Sequence, residues 1–226
     1  SAEYGLPRGG GWVALLQQRL ARDKVAIDVV NASVSGDTTS GGRSRLDALL
    51  KTHQPRLVVI ELGGNDALRG LPVAMTRDNL QAMTAQAQKA GAKVLLLGMQ
   101  VPPNYGADYN RQFQAAYAEV AKSTKAALVP FFLKGVADSP HAEELFQADR
   151  IHPTQAAHPT LLPHSTPQTS SSSCCWATSA RRTACHCTSS EPAPDEPACA
   201  NRAPAACRLG SQRPVAAQVS GQWPRS

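Results

Sequence analysis

The spacing of apolar residues over the first 163 positions changes repeatedly between a helical period and short continuous runs. Between residues 12 and 20 the apolar side chains fall on one side of a helical wheel, and residues 25–30 form a short β-branched run. The same order then recurs. It predicts further helices around Leu46–Leu50, 76–89 and 109–122, and further strands at 57–62, 94–99 and 127–132.

The predicted strand at 57–62 is apolar at nearly every position, which is typical of a strand covered on both faces. Helices that alternate with such strands indicate a parallel sheet between two helical layers. The sequence therefore predicts the α/β class, with a doubly wound parallel sheet. Ligands of such sheets bind beyond the carboxyl ends of the strands.

Three polar segments follow predicted strands. Residues 31–38 come directly after the first strand, residues 63–66 come after the second, and residues 149–152 follow the last strand after a loop. Because the carboxyl ends of parallel strands lie at one edge of the sheet, we expect the three segments to meet there. This convergence predicts a polar site at that edge.

Charge and hydropathy exclude two classes of partner. The net charge is +6, but it is shared between 17 basic and 14 acidic residues up to Pro163 and 6 basic and 3 acidic residues after it. No basic stripe emerges that would follow a phosphate backbone, so we expect no nucleic-acid partner. The longest apolar run, at residues 94–99, has the length of a buried strand, so we expect no stable membrane insertion.

The composition changes near residue 163. The first 163 residues contain no cysteine, and the segment from His164 onward lacks Lys, Ile, Met, Phe and Tyr while it is rich in Ser, Pro, Ala and Arg. All six cysteines lie in this tail: Cys174, Cys175, Cys185, Cys187, Cys199 and Cys207. Such a segment has too few large apolar residues to build a core of its own. We therefore divide the chain into a domain at 1–163 and a tail at 164–226.

Three interpretations of the tail stay open. A disulfide or metal module is suggested by the order Cys185-His186-Cys187, although the spacing is not that of a structural zinc site. A disordered extension also fits the composition. The interpretation that we favour is a shifted reading frame of a GC-rich gene, which resequencing of the DNA around residues 155–165 would test.

Five segments of the domain carry a family resemblance. Residues 30–38 (VNASVSGDT), 61–66 (ELGGND) and 149–153 (DRIHP) resemble the second, third and fifth conserved blocks of the SGNH (GDSL) hydrolase superfamily. Residues 102–106 (PPNYG) and 129–132 (VPFF) are similar to segments of its bacterial thioesterase I/lysophospholipase L1/arylesterase group. The resemblance runs from residue 1 to about residue 160. It implies a three-layer, flavodoxin-like sheet and a serine esterase or thioesterase.

The resemblance also implies a role for four residues. His152 would be the general base, and Asp149 would hold its imidazole in the working tautomer. The oxyanion hole would be formed by the backbone N–H of Gly36 and the side-chain amide of Asn65. A glycine permits close approach of the chain to the substrate, and an amide donates a hydrogen bond without titrating.

Each of these four residues also has a structural interpretation. His152 is alternatively an ordinary loop histidine, Asp149 a cap of the helix after Pro153, Gly36 a turn residue, and Asn65 a partner of loop backbone. We expect structural or solvated roles for the remaining histidines and for the aspartates and serines of the conserved blocks, which are His53, His141, His158, His164, His186, Asp37, Asp66, Ser33, Ser35 and Ser40.

The sequence departs from the family pattern in three places. The first block, Gly-Asp-Ser-Leu, ends a strand inside the family's sheet, and its nucleophilic serine would fall just before Ser1. Without that strand, we expect unpaired backbone on the neighbouring strands. Arg150 stands where relatives usually have Gly, so it could crowd the site or lower the basicity of His152. Beyond about Ala157 the closing helix of the family gives way to the tail, which would leave one face of the sheet exposed.

The leading hypothesis is therefore a hydrolase of carboxylic or thio esters that acts through an acyl-enzyme, but is inactive in this chain because the serine lies upstream. It would bind a small acyl ester or thioester and need no metal or cofactor. The alternative is a non-catalytic nucleotide-binding or interaction fragment, suggested by Gly9-Gly10-Gly11 ahead of a helix. The resemblance implies a periplasmic or secreted protein, and the sequence does not indicate the oligomeric state.

Overall fold

The computed structural model describes residues 3–165 and 217–220 of the chain. Seven helices are formed in these residues: α1 (Trp12–Arg22), α2 (Thr39–His53), α3 (Gly64–Leu68), α4 (Val73–Lys89), α5 (Ala107–Thr124), α6 (Ala142–Leu145) and α7 (His158–Ser165). The strands are β1 (Val30–Asn31), β2 (Leu57–Glu61), β3 (Lys93–Leu97), β4 (Ala127–Val129) and β5 (Ala217–Ser220).

The strands form one parallel sheet in the order β1-β5-β2-β3-β4. Three consecutive residues of β2, Val58 to Ile60, are at most 2% exposed, so both faces of this strand are covered. Helices α2, α4 and α5 pack side by side in one layer, and α1 packs on α7 in the other. The doubly wound α/β architecture predicted from the sequence is confirmed.

Trp12 anchors the α1 layer to the core. Its side chain is 1% exposed and meets the ring of Phe132 edge-on, with ring centroids 5.2 Å apart. An aromatic pair of this geometry contributes about 0.5–1.5 kcal/mol beyond the area that it buries. Because Trp12 is the first residue of α1, this contact fixes the amino end of the helix beside the carboxyl edge of the sheet.

The predicted helices and strands are all present, but two of the strands are shorter than expected, and the strand predicted at 127–132 ends at Val129. The strand expected at 25–30 is reduced to Val30–Asn31, and residues 25–29 have no regular structure. A parallel strand is held by a ladder of hydrogen bonds to its neighbour. Only two residues of β5, Ala217 and Gln218, pair with β1.

Two expectations about the ends of the domain need correction. The place inside the sheet is not left unpaired, because residues 217–220 of the tail pair with both β1 and β2. A helix also follows Ala157: α7 runs from His158 to Ser165 and packs on α1, with Leu161 1% exposed. The remainder of the tail, including all six cysteines, lies outside the described residues. No helix among residues 3–165 is long and apolar enough to cross a membrane.

Candidate active site

The loop between α6 and α7 brings the predicted base and its carboxylate partner together. Asp149 Oδ2 lies 2.6 Å from Nδ1 of His152, and Asp149 Oδ1 accepts hydrogen bonds from the N–H groups of Ile151 and His152, each at 3.0 Å. The carboxylate therefore holds both the backbone and the ring. Since Nδ1–H donates to a carboxylate, the proton-accepting lone pair lies on Nε2.

The pKa values of this pair both fall. Burial lowers the pKa of His152 below its ordinary value of 6.5, and the hydrogen bond and charge of Asp149 oppose only part of that effect. Burial acts to raise the pKa of Asp149, but hydrogen bonds from His152 and from the Ile151 N–H outweigh it and leave the pKa lowered. At neutral pH the pair is thus a carboxylate next to a neutral imidazole, the state in which a histidine accepts a proton.

Gln147 ties the His152 loop to the beginning of the chain. Its backbone N–H donates to the His152 carbonyl at 2.7 Å, and its side-chain amide donates to the carbonyls of Tyr4 (2.8 Å) and Pro153 (3.0 Å). Tyr4 in turn lies with its ring 4.2 Å from the imidazole of His152, centroid to centroid. One glutamine therefore fixes the base and also the ring that covers it.

Arg150 adopts the left-handed conformation, with φ at +55°. A side chain in this region costs about 1–2 kcal/mol, which gives a physical reason for a glycine at this position of the turn. The residue is exposed, so its guanidinium does not crowd the imidazole. The lowered pKa of His152 arises mainly from burial.

The two predicted oxyanion donors lie on adjoining loops. Gly36 has φ at +75°, and its carbonyl accepts a hydrogen bond from Arg69 at 2.9 Å. The Asn65 side chain is fully buried, and its Nδ2 donates to the carbonyl of Asp37 at 3.0 Å. An amide nitrogen carries two hydrogens, so one remains for a ligand. The N–H of Gly36 donates to no other described residue.

A buried carboxylate supports these loops from behind. Asp66 is fully buried and accepts hydrogen bonds from the backbone N–H (2.9 Å) and the hydroxyl of Thr39, the first residue of α2, and from the hydroxyl of Thr76 at 3.3 Å. Asp37 pairs with Arg45 at 2.8 Å. Both aspartate side chains thus form hydrogen bonds or ion pairs within the protein, which is the structural role expected from the sequence.

His152 Nε2 is buried and has no hydrogen-bond partner among the described residues. The whole residue is 3% exposed. A cavity opens beside this loop, lined by Ile151 and Pro153 on either side of His152 and by Glu61, Leu62 and Gly64 at the end of β2. Apolar side chains such as Met99 and Leu161 complete its wall. The free nitrogen and this cavity thus belong to the same region of the sheet edge.

His158 closes the amino end of α1. Its Nδ1 accepts the N–H of Trp12 at 2.9 Å, and its imidazole also hydrogen-bonds to the backbone of Pro153, which has only a carbonyl to offer. Burial lowers the pKa of His158 to about 4. The Gly9 N–H donates to Glu3 and the Gly10 N–H to the Pro7 carbonyl. The backbone N–H groups of Gly9, Gly10 and Trp12 thus all have acceptors within the protein.

The other candidate residues take no part in this arrangement. Ser33 donates to Asn31 at 2.6 Å, and none of the serines near Gly36 is hydrogen-bonded to His152. Within residues 3–165, no three His, Cys, Asp or Glu side chains cluster as metal ligands. Tyr4 and Gln147 carry no signal in the sequence, because the contacts Tyr4–Gln147 and Tyr4–His152 join segments more than 140 residues apart and have no local pattern.

Comparisons with known proteins establish the family of the chain. The model of the GDSL-like lipase/acylhydrolase family matches residues 1–159. The chain belongs to this family. It is 55% identical over 162 residues to the esterase TesA of Pseudomonas aeruginosa, which covers 72% of the chain and 79% of that protein. It is 42% identical to thioesterase 1/protease 1/lysophospholipase L1 of Escherichia coli, over 71% of the chain and 74% of that protein.

Solved structures of family members share the fold. A crystal structure of TesA superposes with a TM-score of 0.68 at 54% identity, covering 71% of this chain and 88% of that one. Membership in the family makes the chain a carboxylic ester or thioester hydrolase by class. The part of the sequence that the relatives share ends near residue 160, where the composition changes.

Proposed function

We propose that the site built around His152 hydrolyses carboxylic esters or thioesters of small acyl substrates through an acyl-enzyme. The observation that carries the proposal is the Asp149–His152 pair, which is joined at 2.6 Å through Nδ1 and leaves Nε2 without a partner. That is the arrangement in which an imidazole takes a proton from a nucleophile. The esterase and thioesterase names of the two relatives agree with it.

In the proposed reaction, Nε2 of His152 removes the proton from a serine hydroxyl while its oxygen bonds to the acyl carbon. The carbonyl oxygen becomes negative and accepts hydrogen bonds from the Gly36 N–H and the Asn65 amide. The bond to the leaving alcohol or thiol then breaks, and His152 returns the proton to that group. Water repeats these steps to release the acid. Each such oxyanion donor contributes about 2.7–4 kcal/mol to the transition state in serine hydrolases.

We also propose that the nucleophilic serine precedes Ser1, so that the chain as given does not turn over ester. Two observations support this view. His152 Nε2 has no hydroxyl partner among the described residues, and Ser33 is hydrogen-bonded to Asn31 instead. The substrate class stays as broad as the relatives suggest, from aryl esters to acyl thioesters.

The test is hydrolysis of p-nitrophenyl butyrate by the chain as given and by a form extended upstream with a strand that ends in Gly-Asp-Ser. We expect release of p-nitrophenol only from the extended form, and a fall of at least about 10³-fold after His152→Ala. The exposed His141→Ala variant serves as the matched control and should keep full activity. Equal activity of the His152→Ala form would contradict the mechanism.

A further inference from the structure

The proposed oxyanion hole takes its two donors from separate segments of the chain. The N–H of Gly36 precedes α2, and the amide of Asn65 lies in the first turn of α3. Such donors act only when each lies about 2.7–3.1 Å from the oxygen that becomes negative. The distance between the two segments therefore decides whether one oxygen can accept from both donors.

Among the described residues, polar contacts join residues 36–39 to residues 64–69 at three places. The bond from Arg69 is exposed to water, and the bond from Asn65 to a loop carbonyl is made by the donor itself. The third contact is buried and double. The Thr39 N–H donates to Oδ2 of Asp66 at 2.9 Å, and the Thr39 hydroxyl donates to Oδ1. It is the contact that can fix the two segments independently of a ligand.

The Thr39–Asp66 contact binds the amino end of α2. The first N–H groups of a helix have no acceptor within the helix, and the helix dipole favours a carboxylate beside them. Thr39 is the first residue of α2, so its N–H is such a group. Asp66 belongs to α3 and directly follows Asn65. A displacement of one helix end relative to the other would therefore lengthen both hydrogen bonds.

Asn79 of α4 orients the Thr39 hydroxyl. Its Nδ2 donates to Thr39 Oγ1 at 3.1 Å, so the hydroxyl accepts there and directs its single proton to Asp66. The Asn79 Oδ1 accepts from the exposed Arg43 at 3.1 Å, which fixes the orientation of the amide. Asn79 is 6% exposed, and Thr39 and Asp66 are fully buried. Loss of one of these bonds would leave a buried polar group unpaired, which favours a single arrangement.

We propose that Thr39 is a positioning residue of the oxyanion hole, which sets the distance between the Gly36 N–H and the Asn65 amide through its two hydrogen bonds to Asp66. Asn79 assists by directing the hydroxyl. Thr39 is fully buried, so it acts through the two donors and not on the substrate. This inference rests on the proposed function, because it adopts the donor roles given there to Gly36 and Asn65.

Thr76 provides a matched control for Thr39. It is 1% exposed, and its hydroxyl donates to the same Oδ1 of Asp66 at 3.3 Å, but it lies on α4 and has no hydrogen bond to the described residues 36–39. Replacement of either threonine by valine keeps the shape of the side chain and removes one donor from the same carboxylate. The two variants should therefore lose similar stability in thermal unfolding, whereas only Thr39→Val weakens the link to Gly36.

The first measurement uses the chain as given and requires no serine. NMR records the side-chain NH₂ signals of Asn65 and the backbone N–H signal of Gly36. We expect these signals to shift more in Thr39→Val than in Thr76→Val, and Thr39→Ser, which keeps the hydroxyl, to restore the wild-type positions. Equal shifts in the two valine variants would overturn the positioning role.

The second measurement uses the extended, serine-containing form and p-nitrophenyl butyrate. We expect Thr39→Val to lower kcat by about 10- to 100-fold, because a displaced oxyanion donor loses its contact in the transition state. KM should stay within about threefold of the wild-type value, since the oxyanion is absent from the bound substrate. Thr76→Val should keep most of kcat, and Thr39→Ser should recover it.

The outcomes separate the two proposals. Shifted Asn65 and Gly36 signals with an unchanged kcat support Thr39 as the link between the two segments and overturn the donor roles in the proposed function. An equal fall of kcat in Thr39→Val and Thr76→Val overturns the positioning role.

If Thr39→Val does not fold, Asn79→Leu replaces it, because this variant frees the Thr39 hydroxyl without removing it. Asn79→Leu should shift the same Asn65 and Gly36 signals and lower kcat by about 3- to 10-fold. Unchanged signals in Asn79→Leu would contradict the proposal.

Discussion

The phenol ring of Tyr4 covers the imidazole of His152, with ring centroids 4.2 Å apart and planes inclined by 36°. This contact joins the beginning of the described chain to the loop that carries the proposed base. It covers the imidazole of His152, and burial of this imidazole lowers its pKa. The Tyr4 ring thus contributes to the burial of the His152 imidazole.

Replacement of Tyr4 by Ala should raise the pKa of His152 toward its ordinary value of 6.5. The reason is that desolvation is the main cause of the lowered pKa, and loss of the ring admits water to the imidazole. NMR titration of the histidine ring signals measures the shift, with exposed His141 as an internal control. An unchanged or still lower pKa would mean that Tyr4 does not desolvate the base.

Replacement of Asp149 by Asn should abolish most of the activity of the extended, serine-containing form. Asparagine keeps the size of the side chain, but it loses the charge and can donate to Nδ1, so it favours the wrong tautomer of His152. An equivalent change in a serine protease triad lowers kcat by about 10⁴-fold, and we expect a loss of this order. Steady-state kinetics measure it, and Asp108→Asn, which affects only an exposed pair with Arg111, should leave kcat unchanged.

Acid should destabilise the fold through His158. Its pKa is about 4 in the folded protein and near 6.5 when unfolded, so the unfolded chain binds the proton more readily. The stabilising contribution of the neutral ring is complete above pH 6.5 and is lost as the pH falls from 6.5 to 4. Within that window the free energy of unfolding should drop by up to about 1.4 kcal/mol per pH unit.

The variant His158→Gln tests this assignment. A glutamine amide accepts from the Trp12 N–H and donates to the Pro153 carbonyl without titrating. Urea unfolding at pH 7 and at pH 4.5 should therefore show a smaller loss of stability for the variant than for the wild type. His152, whose pKa is also lowered, contributes equally to both proteins. The same pH dependence in the two chains would contradict the assignment.

Gly63 should tolerate no side chain. Its φ is +119°, and a Cβ atom there would overlap the hydroxyl of Tyr117, which donates to the Leu62 carbonyl at 2.6 Å. We expect Gly63→Ala to cost about 1–3 kcal/mol from backbone strain, plus about 1–3 kcal/mol from the displaced hydrogen bond. Gly70→Ala is the matched control, because its φ is +62° but its surroundings are open. Thermal unfolding measures the effect, and an equal fall in melting temperature for the two variants would exclude the proposed clash with Tyr117.

The sequence predicts most of this fold because its elements are encoded locally. The helices α1, α4 and α5 follow from apolar spacing, and β2 follows from a run that is buried on both faces. Helix α4 ends at Lys89, shortly before Gly91, whose φ is +85°. Such features depend only on residues that are near one another in the chain.

The remaining features depend on contacts between distant segments. Tyr4 meets His152, and Ala217 pairs with Val58, across most of the length of the chain. Strand pairing by the main chain leaves almost no trace in the composition of a segment such as residues 217–220. The four site residues came from the family resemblance, and their catalytic roles stay predictions.

The interior position of β5 also sets an order of events during synthesis. Its pairing partner Val58 emerges from the ribosome long before Ala217 does, so the ladder beside β1 closes only after residue 217 has been synthesised. The segment from Val30 to Gly36 can join the sheet only after β5 has formed, whereas β2, β3 and β4 can pair before it. The edge of the sheet that carries Gly36 is therefore the last of the described part to become ordered.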